Sequence, residues 1–255
     1  MATKIITISN QKGGVGKTTT AVSLAHYLSK KGRRVLLIDL DPQGQCATSL
    51  GMDPEQGTFY LLVISQTSPQ EIAFIKKYVR ETGREGLTLI PGNQATAQAQ
   101  ANIQEKPISY LKEVVRPFIK DGVDYIVFDT SPSVGGLQER AIWASDLLIL
   151  PSATEFASLD SVAKTIQTLQ VLRAEKGWKG GLLGILPTFF DDKTRESRNS
   201  LNDLQRDFGE KVFAPIHNAT VLRECWAAGK TIFEYAPQSR ACQEYEVFAN
   251  LVNKY

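Results

Sequence analysis

Ten residues, Gln11 to Thr20 (QKGGVGKTTT), carry the densest chemistry in the chain. Gly16, Lys17 and Thr18 fill the last three positions of the phosphate-loop pattern G-x-x-x-x-G-K-[ST], while its first glycine position holds Gln11. Gly13, Gly14 and Gly16 lack Cβ atoms, so the backbone can turn tightly and aim successive N–H groups at phosphate oxygens. A helix starting just after the loop adds positive potential at its N-terminus. The phosphate cradle is therefore expected to run through Lys12, Gly13, Gly14, Val15, Gly16, Lys17, Thr18 and Thr19. In it Lys17 bridges the terminal phosphates and the Thr18 hydroxyl ligates Mg²⁺. Lys12 is a second lysine that such a loop does not need.

Two acidic segments complete the chemistry. DYIVFDTSP ends an apolar run in Asp129, where a carboxylate is costly unless a cation offsets it. LLIDLDPQG ends another run with Asp39 and Asp41 two residues apart, which places both on one face of a strand end. One carboxylate can face the metal and the other the attacking water, a division of labour that phosphoryl transfer requires. The bland alternatives are a glycine-rich turn with chance basic residues and two solvated acids in a strand-ending turn. The order strand, loop, helix weighs against both.

The elements that must hold these residues alternate. Lys4 to Ser9 is a short β-branched run that stops at the loop, and Thr18 to Lys30 then spaces Ala21, Leu24, Ala25 and Leu28 as a helix does, with Gly32 as its stop. Arg34 to Leu40 is almost wholly apolar, as a strand covered on both faces must be. Leu87 to Ile90, Tyr125 to Phe128, Leu147 to Leu150 and Leu182 to Leu186 are further strands. Helices are expected around 99–119, 158–175, 196–208, 219–228 and 240–253. This alternation predicts an α/β fold: a mostly parallel twisted sheet with helices on both faces, of P-loop NTPase architecture, forming a single domain over 1–255. Ligands of such sheets bind at the carboxyl ends of the strands, where all three loaded segments lie. Gly51 to Gln100 is polar and poorly periodic apart from its strand, and reads as either a flap or an interaction surface.

Composition narrows the class. A formal charge of +2 over 255 residues gives no global case for nucleic-acid binding, so any basic surface must be local. The N-terminus lacks the features of a signal peptide and no stretch is apolar enough to span a membrane, so a cytoplasmic protein is expected. Cys46, Cys225 and Cys242 are far apart and form no C-x-x-C pair, which reads as buried or incidental thiols.

QKGGVGKTTT, VLLIDLDPQGQ, YIVFDTSPS and ATEFASLDSV, in this order and spacing, resemble the ParA/Soj/MinD family of deviant-Walker-box ATPases, and specifically its ParA (Soj) branch. LRECWAAGKTIFEYAPQSRACQEY resembles the same branch, so the likeness spans nearly the whole chain and is weakest over 51–120. Ser131 departs from it, standing where the family often has proline before Pro132. The resemblance implies that Lys12 reaches across a nucleotide-sandwich dimer to the partner's phosphates, a lysine counterpart of an arginine finger supplied in trans. It assigns Lys17 to phosphates in cis, Thr18 to Mg²⁺ and Asp129 to the metal shell. Asp41 becomes the residue that orients the attacking water, Asp39 supports the metal, and Thr188 and Pro215 contact the adenine.

The same resemblance implies a slow ATPase that dimerises with ATP and Mg²⁺ and then binds DNA without sequence preference. An adaptor of ParB or analogous type stimulates hydrolysis, and the cycle positions a cargo such as a plasmid, a chromosome origin or a carboxysome on the nucleoid. Lys193, Arg195, Arg198 and Arg223 are the expected DNA contacts, with Arg206, Lys230 and Arg240 as further basic candidates among about as many acids. Three other classes compete. A MinD-like membrane-associated ATPase needs a basic amphipathic C-terminal helix, which YEVFANLVNKY is too short and too weakly basic to supply. An iron-sulfur ATPase of the nitrogenase iron-protein type needs cysteines after the switch segments, and a metabolic ligase such as dethiobiotin synthetase needs a small-molecule pocket. The short segment before the loop leaves no room for a separate sequence-specific DNA-binding domain.

Overall fold

The computed structural model describes residues 2–64, 67–133, 136–155 and 158–255. Its strands are β1 (Lys4–Ile8), β2 (Val35–Asp39), β3 (Arg80–Arg84), β4 (Leu87–Ile90), β5 (Tyr125–Asp129), β6 (Leu147–Ala153) and β7 (Gly181–Thr188). The first helices are α1 (Lys17–Lys30), α2 (Gln45–Ser49), α3 (Gly57–Val63), α4 (Pro69–Lys76), α5 (Ala95–Asn102), α6 (Tyr110–Val114) and α7 (Arg116–Lys120). They are followed by α8 (Gly136–Ala144), α9 (Ser158–Lys176), α10 (Arg195–Phe208), α11 (Val221–Ala227), α12 (Ile232–Tyr235) and α13 (Arg240–Val252).

The strands form one sheet in the order β3-β4-β2-β5-β1-β6-β7, and every neighbouring pair is parallel except β3 with β4. Parallel neighbours need crossover connections, which is why helices separate the strands and cover both faces. Ile6, Ile8, Leu37 and Val127 face one layer, where they pack with Leu24 and Leu28 of α1 and with Tyr245 and Phe248 of α13. The alternate residues Ile5, Leu36, Ile38 and Phe128 face the other, against Leu61 of α3, Leu111 of α6, Phe118 of α7 and Leu137 of α8. Burying each such side chain contributes about 1.5–3 kcal/mol. The helix α1 is buried almost all round because it lies between the sheet and α13. Its polar residues are paired accordingly, His26 Nδ1 with the Thr231 hydroxyl at 2.6 Å and the Ser29 hydroxyl donating to the His26 carbonyl at 2.9 Å.

The register sets up the site. Asp39 pairs with Asp129 across β2 and β5, and Ile8 pairs with Asp129 across β1 and β5, so three adjacent strands end level. The loops that follow them therefore begin side by side.

Two expectations are corrected. The helix expected around 99–119 is three short helices, α5, α6 and α7, because Pro107 and Pro117 interrupt the backbone hydrogen-bond ladder and Pro117 starts a new first turn. Between residues 51 and 100 the chain builds α3, α4 and the edge strand β3, whose sequence RETGR has no apolar alternation because it pairs only along one edge. Leu61, Leu62 and Ile75 from this stretch are buried in the core. Among the described residues no helix is long and apolar enough to cross a membrane.

Candidate nucleotide-binding site

The loop after β1 is tied down before it turns. Asn10 is fully buried, its side-chain amide donates to the Pro151 carbonyl at 2.8 Å, and its Oδ1 accepts the Lys12 N–H at 2.9 Å. Gly14 and Gly16 then take φ of 69° and 82°, a region that disfavours any residue with a Cβ, and Gly16 leads directly into α1. Thr188 at the end of β7 clips the loop from the far side, its hydroxyl donating to the Val15 carbonyl at 2.9 Å.

Lys17 is buried, and its ammonium donates to the Lys12 carbonyl at 2.8 Å, closing the loop on itself. Burial pushes its pKa down, with Asp129 and Asp41 pulling the other way. Lys12 turns outward instead: its Nζ pairs with Glu155 Oε2 at 2.9 Å, between side chains 32% and 62% exposed. The two lysines of the loop thus aim in different directions.

Behind Thr18 lies a buried acidic cluster. The Thr18 hydroxyl donates to Asp129 Oδ2 at 2.7 Å, and the Cys46 thiol donates to the same oxygen at 3.3 Å. Asp39 accepts the Asp41 N–H on Oδ1 and the Cys46 N–H on Oδ2, both at 3.0 Å. Burial drives the Asp129 carboxyl up to about 6 against the hydrogen bonds from Thr18 and Cys46. Burial first, and then Asp129, hold the Asp39 carboxyl well above the ordinary range. Asp129 Oδ1 is buried without a hydrogen-bond partner, a carboxylate oxygen suited to ligating a cation. Cys46, expected to be a buried or incidental thiol, is buried and is a neighbour of both carboxylates. Asp41 stands nearer the surface and accepts the Gln43 N–H at 2.9 Å. Gly92 packs so closely under this turn that a Cβ there would come within 2.6 Å of the Asp39 carbonyl oxygen and 2.9 Å of that of Asp41.

Gly14, Gly16, Lys17, Thr18, Thr19, Asp41 and Thr188 line a single cavity of about 730 Å³. The loop lines it with polar groups, and Phe189, Ile216, Leu222, Trp226 and Tyr245 add apolar lining. Polar and aromatic lining together suit a ligand with a charged tail and a flat apolar head. A larger concavity of about 950 Å³ lies among α3, α4, α6 and α7 and contains none of the loop residues, so size does not pick out the site here. Gly13 lies against Pro132, and Val15 is buried with its carbonyl toward Thr188.

Several expected residues lie elsewhere. Pro215 does not face this cavity; it lines a separate one with His217, Arg240 and Val247, while its neighbour Ile216 faces the loop. In an extended segment adjacent side chains point to opposite sides, which is why these neighbours line different cavities. Arg223 lines the nucleotide-sized cavity, whereas Lys193, Arg195 and Arg198 stand exposed at the start of α10. That helix carries Arg195, Arg198 and Arg206 against Glu196, Asp203 and Asp207, and Arg206 is paired with both aspartates. Arg240 is paired with Glu244 at 2.8 Å. Of ATEFASLDSV, residues 156 and 157 lie outside the described residues. In the loop after Asp129, the Ser131 and Ser133 hydroxyls are 3.0 Å apart.

Sequence reasoning missed Asn10, Phe189 and Trp226. Asn10 had a local signal, an amide side chain at the strand-to-loop junction. Phe189 sits at φ 53°, unusual for a residue with a Cβ, and only the fold brings it and Trp226 to the loop.

The chain is similar to known proteins over nearly its whole length. A family model described as an AAA domain matches residues 3–179. The chain is 37% identical over 248 residues to the chromosome-partitioning ATPase Soj of Thermus thermophilus, covering 97% of this chain and 94% of that protein. It is 35% identical over 260 residues to the sporulation initiation inhibitor protein Soj of Bacillus subtilis, covering 97% and 99%. Among solved structures, apo McdA from Cyanothece superposes with a TM-score of 0.83 at 22% identity, over 98% of each chain, a likeness of fold. Cobyrinic acid a,c-diamide synthase from Mycobacterium smegmatis, with bound ATP analog and magnesium, superposes with a TM-score of 0.75 at 31% identity, over 98% of this chain and 94% of that one.

Proposed function

Since the chain belongs to the ParA (Soj) and MinD family of AAA-type ATPases, we propose that it is a switch ATPase that dimerises with ATP, binds DNA without sequence preference in that state, and is released when an adaptor stimulates slow hydrolysis. The observation that carries this reading is the divided aim of the two loop lysines. Lys17 serves the loop of its own subunit, and Lys12 stands at the surface, held by an ion pair weak enough to exchange for a partner's phosphates. One ATPase domain spans 1–255.

In this reading the cavity takes ATP, with the phosphates over the N-terminus of α1 and the base against Phe189 and Trp226. The residues fit magnesium. The Thr18 hydroxyl, which donates to Asp129, would ligate the metal, Asp129 carries an unpartnered buried oxygen, and Asp39 adds a second carboxylate. Bound there, the ion would neutralise charge on the phosphates. Asp41, at the cavity wall, orients the attacking water, and Lys12 completes the partner's site. Thr188 holds the loop. Lys193, Arg195 and Arg198 contact DNA; Arg223, placed in the cavity, is read as a nucleotide contact as well. ATP and ADP then stabilise different assemblies, which is what a switch requires. The protein acts in the cytoplasm on the nucleoid, where the adaptor couples it to its cargo.

The test is a DNA-binding titration with ATP, ADP and no nucleotide at two salt concentrations. A dimer doubles the phosphate contacts of one subunit, whose non-specific affinity is on the order of 10⁻⁴ to 10⁻⁶ M, so retention with ATP should exceed that with ADP and fall steeply with salt. Equal binding in all three states overturns the reading. A second reading, a metabolic enzyme on the same loop, draws on the 31% identity to the diamide synthase. It requires turnover that depends on a small organic acid and ignores DNA.

A further inference from the structure

We propose that Asp39, Cys46 and Asp129 form a site for a thiophilic divalent cation of the Zn²⁺ type. One candidate ligand atom from each lies within 4.8 Å of the other two, and all three residues are buried. In a tetrahedral zinc site, bonds of about 2.3 Å to sulfur and about 2.0 Å to oxygen place the two ligand atoms about 3.5 Å apart. Cys46 Sγ and Asp129 Oδ2 are already 3.3 Å apart. The second observation is Asp129 Oδ1, a fully buried carboxylate oxygen that no protein group satisfies.

The chemistry selects the ion. Magnesium requires near-octahedral oxygen ligands and gains nothing from a sulfur, whereas thiolate with two carboxylates is a complete three-ligand set for zinc with one open position. The Thr18 hydroxyl, 2.7 Å from Asp129 Oδ2 and lining the nucleotide-sized cavity, stands at the entry side of the cluster. As the metal–ligand bonds form, the thiol proton now donated to Asp129, together with any proton held by the Asp39 or Asp129 carboxyl, leaves to water. Zinc here would occupy both carboxylates assigned above to magnesium, so the two ions exclude each other.

The inference does not depend on the ATP-switch reading, because its test uses nucleotide-free protein. Co²⁺ is titrated into the full chain under reducing conditions and the sulfur-to-cobalt charge-transfer absorption is followed, then Zn²⁺ is added. The expected result is a band that saturates at one Co²⁺ per chain and is abolished by Zn²⁺. A variant lacking the other thiols, Cys225→Ser with Cys242→Ser, should keep the band. Cys46→Ser should lose it while melting as cooperatively as the parent, and Asp129→Asn should raise the Co²⁺ needed for half-saturation at least tenfold. A band that survives Cys46→Ser, or one absent from the parent chain, overturns the assignment.

Discussion

The ion pair between Lys12 and Glu155 offers the sharpest quantitative test of the trans role. If Lys12 serves the partner's nucleotide, Glu155 must release it first, and the pair opposes dimerisation by its own strength. At 2.9 Å, with side chains 32% and 62% exposed, it belongs to the exposed class, worth about 0.2–1 kcal/mol. A symmetric dimer breaks two such pairs, so Glu155→Gln should remove up to about 2 kcal/mol of opposition. That is a tightening of the ATP-dependent dimer by between about twofold and thirtyfold. The assay is sedimentation equilibrium or mass photometry with a hydrolysis-defective background such as Asp41→Ala, at low and high salt. Salt should narrow the difference between parent and variant, because it screens the pair in the parent alone. Unchanged or weaker dimerisation of Glu155→Gln, with nucleotide binding intact, would show that Lys12 is not drawn from this pair into the partner's site.

Asp41→Ala should retain ATP and DNA while losing turnover by at least a hundredfold, and normal phosphate release would remove Asp41 from its water-orienting role. Trp226→Ala takes away the largest flat surface of the cavity's apolar lining, and fluorescent-nucleotide titration should show affinity down by about tenfold. Asp129 makes stability depend on pH in chelator: its folded pKa of about 6 lies above the ordinary 3.8, so the contribution is full below that value and is lost as pH rises through 6. Thermal melts should therefore show stability falling over this window by on the order of 3 kcal/mol, and Asp129→Asn should flatten the slope. A slope that is unchanged in Asp129→Asn would place its origin elsewhere.

The parts legible in the sequence were those where one residue type is demanded by local physics. Gly14 and Gly16 sit at positive φ, β2 and β5 are apolar because both faces are covered, and α1 shows its Leu24 and Leu28 spacing even though the helix is buried all round. What stayed hidden depends on the fold bringing distant segments together. Trp226 and Phe189 reach the loop only through the placement of α11 and the end of β7, and nothing in their neighbours forecasts it. The edge strand β3 hid for the opposite reason, since an edge needs no apolar pattern. Pro215 and Ile216 show how little separates two cavities, since one step along the chain moves a side chain from one to the other.

The in-register pairing of Asp39 with Asp129 ties these observations to one cause. Burial raises the cost of ionising both carboxylates at these adjacent strand ends, Asp129 adds to it at Asp39 and Asp41 adds to it at Asp129, and the protein offsets only part of it with backbone N–H groups on Asp39 and with the Thr18 hydroxyl and Cys46 thiol on Asp129. The balance falls to a cation or to protons. Burial raises both carboxyls above the ordinary range, and the Lys17 ammonium donates to the loop carbonyl of Lys12. A bound ion with phosphates would draw Lys17 from that carbonyl, and the same carbonyl belongs to the residue whose side chain reaches Glu155. In the switch reading proposed above, occupancy inside the subunit would thus act on the backbone of the same residue, Lys12, whose side chain faces outward.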